Sequence, residues 1–442
     1  CLAIFDSRYN RKKYAAMNII RTIFSLSIFL CGFMIFLVDI NNSVLSPIEN
    51  MTLKIENMSK NPISTLDNPG TEVIKKRGIN ISCLQNSKDA YKMFESQILE
   101  NKISKICSLL SLGFGEAGSQ IISSVLQEGA NVEMNPIIPG KKVFGIYGFC
   151  DIRNFTDTTE VLQEQVMIFV NQVAEIVHEI TCDFCGSANK NIGDAFLLVW
   201  KFEEKFIRRV NNKRGEVELK LKKTIQVSQF CDMALISFIK ILIDIQRRYK
   251  QAVYRRHPGL NKRIANYKTK LGFGLHLGQS IEGAIGSMFK IDASYLSPNV
   301  NKANDLEENT KTFQKELIMS GEFYDYLSED SKKNLRLLDI FKEKSGEIVR
   351  LYSIDLDLAA LPIEKMEDSN FKETDIEKKM SNIKEKRKLA KMLYDEVVIR
   401  HKNDVWNEFI TEDDDFKIVR EKYVDTFIET YSKGMDNFRS GN

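Results

Sequence analysis

Two aspartates stand where apolar runs give way to turns: Asp151 near the end of VFGIYGFCDI, and Asp194 just ahead of AFLLVW. Carboxylates held on adjacent strands can grip two divalent cations, and their hard oxygens suit magnesium or manganese. After Asp151, the run Arg153, Asn154, Phe155 and Thr156 leads into a helical pattern. Free backbone N–H groups and the helix dipole at such a start suit a polyphosphate. Turn aspartates 43 positions apart are common on their own, so the weight falls on the elements around them.

Those elements alternate. Val143 to Ile152 reads as a strand with small residues, and Val166, Phe169, Val173, Ile176, Val177 and Ile180 follow the 3–4 spacing of an amphipathic helix. Ala195 to Trp200 reads as a buried strand, Met233 to Ile245 as an apolar helix, and Leu271 to Leu277 as another strand. Between Phe202 and Gln229 the chain is densely charged, and a surface loop is expected. From Leu356 it is charged and helical, with Met392, Val397, Trp406, Phe409 and Ile410 as anchors for docking.

Four segments carry a resemblance. FCDIRNFTD and KNIGDAFLLVW are similar to the metal-binding segments of class III adenylyl and guanylyl cyclases. GLHLGQSIEGAIGS and KIDASYLSPNVNKANDLEENT are similar to that family's later strand and active-site helix. The order and spacing agree from about Lys141 to Ile354. LLSLGFGEAGSQII and DASYLSPNVN look closest to the membrane-anchored, channel-linked adenylyl cyclases of ciliates and apicomplexan parasites.

The resemblance implies an α+β, ferredoxin-like catalytic domain that works as a dimer, homodimeric or heterodimeric, with ATP between the protomers. It implies conversion of ATP to cyclic AMP with two metal ions, Mg2+ or Mn2+, held by Asp151, Asp194 and the Ile152 carbonyl. Lys190 stands where adenylyl cyclases carry lysine and guanylyl cyclases glutamate; a lysine donates to adenine N1, where guanine presents a donor. Ser294 is the expected second adenine reader, and Asn301 the residue that positions the ribose. Four residues on, the family expects an arginine, and this chain has Asp305. Loss of such an arginine costs roughly a thousandfold or more in rate. Lys302 points about 100 degrees away on a helix, and the resemblance implies that Lys342 or Lys344, in the late loop that supplies a lysine in this family, reaches the triphosphate. The alternative is a degenerate cyclase domain that binds nucleotide or a partner.

The remaining sequence frames that domain. At 442 residues, with 43% hydrophobic residues and eight prolines, the chain is a folded protein of two or three units. Its net charge of +3 gives no sign of a nucleic-acid partner. Eight cysteines are scattered, and the one CxxC, Cys182 and Cys185, lacks the further ligands of a zinc site. Beginning at Cys1, the chain is expected to be part of a longer protein. Thr22 to Val38 holds no charge over seventeen residues and is expected to cross a membrane. Arg8, Arg11, Lys12, Lys13 and Arg21 would place the preceding side in the cytoplasm. Sequons at Asn41, Asn50, Asn57 and Asn80 would suit an external segment. A domain that consumes ATP demands the opposite orientation, and that requirement takes precedence. The expected divisions are a juxtamembrane segment (1–21), a span (22–38), a linker with an amphipathic helix (39–90) and a signalling helix with connector (91–140). The catalytic domain (141–355) and a charged helical extension (356–442) follow.

Overall fold

The computed structural model describes residues 8–46, 48–49, 51–53, 99, 102, 139–211, 215, 217–287, 290–342, 346, 348–364, 376–399, 404–423 and 425–440. The chain divides into two compact units, Cys1–Gly113 and Phe114–Asn442. In the first, helix α1 runs from Arg8 to Ile40, longer than the expected span at both ends. Its Arg11–Ile40 portion is long and apolar enough to cross a membrane, and its side chains are exposed. The expected amphipathic run after Ser46 is helical where described. The helix expected from Phe94 to Leu110 lies outside the described residues but for Leu99 and Lys102.

The second unit is a mixed α+β fold. Strand β1 (Lys141–Ile152) leads into helices α2 (Phe155–Leu162) and α3 (Val166–Asp183), then the hairpin β2 (Ser187–Ile192) and β3 (Ala195–Lys201). A second hairpin, β4 (Ile207–Asn211) and β5 (Val217–Leu221), precedes the long helix α4 (Ile225–Arg247). The expected loop between Phe202 and Gln229 is therefore mostly ordered structure: its alternating apolar residues, Phe206, Leu219 and Leu221, are buried. Strand β6 (Leu271–Ser287) outruns the expected one by ten residues and pairs with β7 (Lys290–Leu296) as an arm. Helix α5 (Pro298–Phe313) and strands β8 (Leu317–Ser320), β9 (Leu335–Lys342) and β10 (Ile348–Ile354) complete the domain.

Along the sheet the order is β2-β3-β1-β6-β8-β10-β9. The first four of these, antiparallel throughout and joined through α3 and α4, make the ferredoxin-like βαββαβ unit that was expected. Alternation along the strands assigns the faces. Ile146, Cys150, Ile152, Phe196, Leu198 and Trp200 pack with α3 and α4 in the main core. Val143, Tyr147, Leu197 and Val199 face the other way and pack with Tyr295, Val300 and Ala303. Gly274 on β6 lets α5 close on that second face, since a Cβ there would strike the Ala303 carbonyl and the Glu307 backbone.

The C-terminal extension folds back onto this domain. Helix α6 (Ile376–Tyr394) lies against α3, and α7 (Val405–Glu412) packs on α4 and is followed by α8 (Asp414–Arg420). Val397, Trp406, Phe416 and Val419 are buried in the same core as the back of the sheet. Of the expected anchors only Met392 points outward, 50% exposed, because it lies on the solvent side of α6.

Candidate functional site

Pairing of β1 with β3 places Asp151 opposite Ala195, which carries the β2–β3 turn and Asp194 to the end of β1. Gly193 in that turn has φ +66, a conformation glycine adopts without strain. The Ile152 N–H donates to the Asp194 carbonyl at 3.3 Å. Burial first, and then the neighbouring Asp194 carboxylate, raises the pKa of Asp151 above its ordinary value. Two carboxyl groups held this close form a site that a cation would stabilise. The chemistry of the donors, two carboxylates with a backbone carbonyl expected beside them, fits divalent cations of the magnesium type. Among the described residues no group of three or more His, Cys, Asp or Glu side chains gathers for a metal, so the fit rests on this pair and a backbone oxygen.

Two cations that sequence reasoning passed over sit at the same place. The Arg153 guanidinium lies 3.3 Å from Asp151 and 2.6 Å from Glu307 on α5. Lys311, also on α5, reaches within 3.7 Å of Asp151. Burial pushes the Glu307 carboxyl up to about 7, against the opposing pull of Arg153. The only signal in the sequence was a basic residue two places after Asp151. The α5 partners come from 154 and more residues away and carry no local pattern.

Asn154, with φ 57 and ψ 35, turns the chain into α2, and no side chain caps that helix start. Asn154 and Thr156 are exposed while Phe155 leans on the core. The first-turn N–H groups of α2 thus have no capping side chain, as a polyphosphate site needs. Asp157 in the same turn is balanced by Arg263 at 2.8 Å.

The residues expected to read the nucleoside come together in a cavity of about 540 Å³, lined by Phe149, Lys190, Ser294, Asn301 and Asp305 among others. Lys190 sits beside an irregularity of the β2–β3 ladder, and its Nζ lies 3.2 Å from Asp292 on β7. Ser294, also on β7, is buried. Asn301 and Asp305 lie one turn apart on α5, both exposed into the cavity. Lys302 turns away to pair with Glu322 at 2.8 Å, so it does not take the place of the absent arginine. Lys342, the last residue of β9, is exposed and outside the cavity lining, and Lys344 lies outside the described residues. Asp151, Ile152 and Asp194 do not line the cavity either, although Phe149 does, two residues before Asp151 on β1. The carboxylate pair and the cavity that gathers Lys190, Ser294 and Asn301 are thus separate features of the chain.

Residues covering about half of the chain are similar to adenylyl and guanylyl cyclase domains. An adenylate cyclase of Anabaena cylindrica is 22% identical over 209 residues, covering 47% of this chain and 36% of the relative. The terminal-differentiation-specific adenylate cyclase of Dictyostelium discoideum is 22% identical over 213 residues, 46% of this chain and 8% of that protein. The chain thus spans about a third or less of the curated relatives it matches. Similar solved structures include a bacterial light-regulated adenylyl cyclase (22% identity, TM-score 0.36, 49% of this chain and 91% of that one). Another is the adenylyl cyclase CyaB from P. aeruginosa (17% identity, TM-score 0.35, covering 52% and 99%). The catalytic core of a rhodopsin-guanylyl cyclase of converted specificity, in complex with ATPalphaS, is similar at 18% identity and TM-score 0.35, covering 49% and 98%. Separately, a family model described as the all-helical domain of RasGEFs matches residues 7–127, ahead of β1.

Proposed function

We propose that residues 141–355 are an adenylyl cyclase domain that converts ATP to 3′,5′-cyclic AMP and diphosphate at the interface between two cyclase domains. The observation that carries this reading is the paired carboxylates of Asp151 and Asp194, with Lys190, Ser294 and Asn301 gathered in a separate cavity. A site split in this way is completed when the carboxylates of one protomer meet the cavity of another. Asp151, Asp194 and the Ile152 carbonyl would hold two divalent cations. When bound, these neutralise the triphosphate and favour ionisation of the ribose 3′-hydroxyl that attacks the α-phosphate.

The chain's own groups do the rest. The N–H groups at the start of α2, around Asn154, Phe155 and Thr156, meet the phosphates. Lys190 donates to adenine N1 and the Ser294 hydroxyl accepts from the adenine amino group, which selects against guanine. Asn301 orients the ribose. Asp305 places a negative charge where an arginine would serve, and Lys342 or Lys344 contributes positive charge from the β9–β10 turn. The helix α1 anchors the protein in a membrane with the cyclase domain in the cytoplasm, as in the membrane-anchored cyclases that the sequence resembles.

Asp305 favours a second reading, in which this chain supplies the carboxylate half of a heterodimer and its partner supplies the arginine. A third, a binding module without turnover, remains the contrast for the experiment. The full chain, including the helices that close the back of the sheet, is assayed with ATP and manganese. Cyclic AMP formation that falls at least ~100-fold in Asp151→Asn, together with loss of Mn2+ binding, is expected. Manganese binding unchanged by that substitution would overturn the assignment of the carboxylates.

A further inference from the structure

Arg153 bridges two elements. One terminal nitrogen, Nη2, is seated on α5: it lies 2.6 Å from Glu307 Oε1 and donates to the Glu307 carbonyl at 3.4 Å and to the Thr310 hydroxyl. The other, Nη1, faces Asp151 Oδ2 at 3.3 Å. The Glu307 side chain is only 4% exposed, so its carboxylate needs this partner. Gly272 makes the room. It stands opposite Asp151 in the β1–β6 ladder, and a Cβ there would strike the Arg153 guanidinium. Lys311, one turn past Glu307 on α5, approaches the same Asp151 oxygen at 3.7 Å from an exposed position.

Two side-chain cations therefore share one oxygen of the carboxylate pair. A divalent cation seated on Asp151 takes that oxygen and repels both of them. Held through Nη2, the guanidinium stays at the site with the donors of Nη1 released. Lys311, on a long exposed stem, is free to turn. The arginine fork and the lysine point charge both match phosphate oxygens.

We infer that Arg153 and Lys311 are phosphate-binding residues that double as stand-in cations. They neutralise Asp151 while it holds no metal, and they pass to the phosphates of the nucleotide once divalent cations take the carboxylates. The inference rests on the proposed role of Asp151 and Asp194 in phosphoryl chemistry. It gives the carboxylate half of the site positive charge that Asp305 takes from the cavity half. It also couples the two ligands: cations free the donors that phosphate needs, and phosphate holds those donors away from the carboxylate. By reciprocity each ligand tightens the other.

The test titrates the full chain with Mn2+, read from the electron paramagnetic resonance of the free ion. Inorganic diphosphate is then titrated into the Mn2+-saturated protein and read by calorimetry. Arg153→Gln and Lys311→Gln each remove a competing cation and should tighten Mn2+ binding several-fold. Arg153→Gln should weaken diphosphate binding at least ~10-fold, and Lys311→Gln several-fold. The opposite signs separate this role from that of a staple between β1 and α5, whose loss would weaken both ligands together. Arg153→Lys keeps a cation and should recover part of the diphosphate binding. Should Arg153→Gln melt far below the parent, Lys311→Gln, at an exposed helical position, decides by the same two readouts. Diphosphate binding unchanged in the folded variants, or both ligands weakened together, overturns the inference. Mn2+ binding that survives Asp151→Asn overturns the reading of the carboxylates themselves, so the two failures are read from different variants.

Discussion

In the proposed reaction, Asp305 and Lys190 set what the cavity accepts, and both act through local charge. The carboxylate of Asp305 projects into the cavity from α5 one turn beyond Asn301. If the proposed triphosphate lies here, replacing it by arginine exchanges repulsion for attraction. Asp305→Arg should raise kcat for cyclic AMP, by up to ~1000-fold if charge at this point limits the rate. Unchanged kcat in the presence of intact manganese binding would count against the assigned position. Lys190 is tied to Asp292, but Asp292 is 54% exposed, and ion pairs of that kind are worth only about 0–1 kcal/mol. On the proposed reading, adenine would therefore take the lysine at little cost. Lys190→Glu should lower kcat/KM for ATP relative to GTP by at least ~10-fold, read from the two substrates in parallel assays; an unaltered ratio would refute its role in base selection.

Among the elements, α4 carries the clearest thermodynamic signature. Asp232 is 1% exposed in the middle of that helix. It accepts from the Ser328 N–H at 3.2 Å and the Ser331 hydroxyl at 2.8 Å, which ties α4 to the turn after β8. Burial raises its carboxyl to about 7 despite those donors. A folded-state pKa above the unfolded value means that the native protein binds the extra proton between about pH 4 and 7, so this group's contribution to stability falls as pH rises through that window. Asp232→Asn keeps an acceptor for both donors and cannot ionise. It should raise the melting temperature at pH 8 by a few degrees and change it little at pH 4. A variant that melts lower than the parent at pH 8 would show that the ionised carboxylate is the preferred form.

For the molecule as a whole, the separation of the carboxylate pair from the cavity predicts division of labour between copies. Asp151→Asn and Asn301→Ala each damage a different half of the site. If each catalytic centre draws one half from each protomer, a mixed dimer has one centre with both defects and one with none. Mixing the two inactive variants should therefore restore up to about a quarter of the parent activity, since about half of the dimers formed are mixed and each has one sound centre. Recovery absent at concentrations where mixed dimers form would rule out the shared site. The C-terminal helices belong to this scale too. Trp406, Phe416 and Val419 complete the core behind the sheet, so a chain cut near Asp357 would expose that core rather than isolate the catalytic domain.

What the sequence determined by itself was whatever depends on neighbours along the chain. The 3–4 spacing of α3, the buried run of β3 and the apolar length of α1 were legible because local periodicity encodes them, whereas the roles expected of Asp151, Asp194 and Asn301 came from the resemblance of their segments to a known family. The hairpin β4–β5 was misread as a loop because its few apolar residues are diluted by charge, and only contact with β1 and β6 reveals which of them are buried. Tertiary structure alone decided that Arg153, Glu307 and Lys311 surround Asp151, that Asp292 holds Lys190, and that the charged C-terminal helices close the domain's own core. Each of these joins residues far apart in the chain, where the pairing energy depends on distance in space and leaves no periodic trace in the sequence.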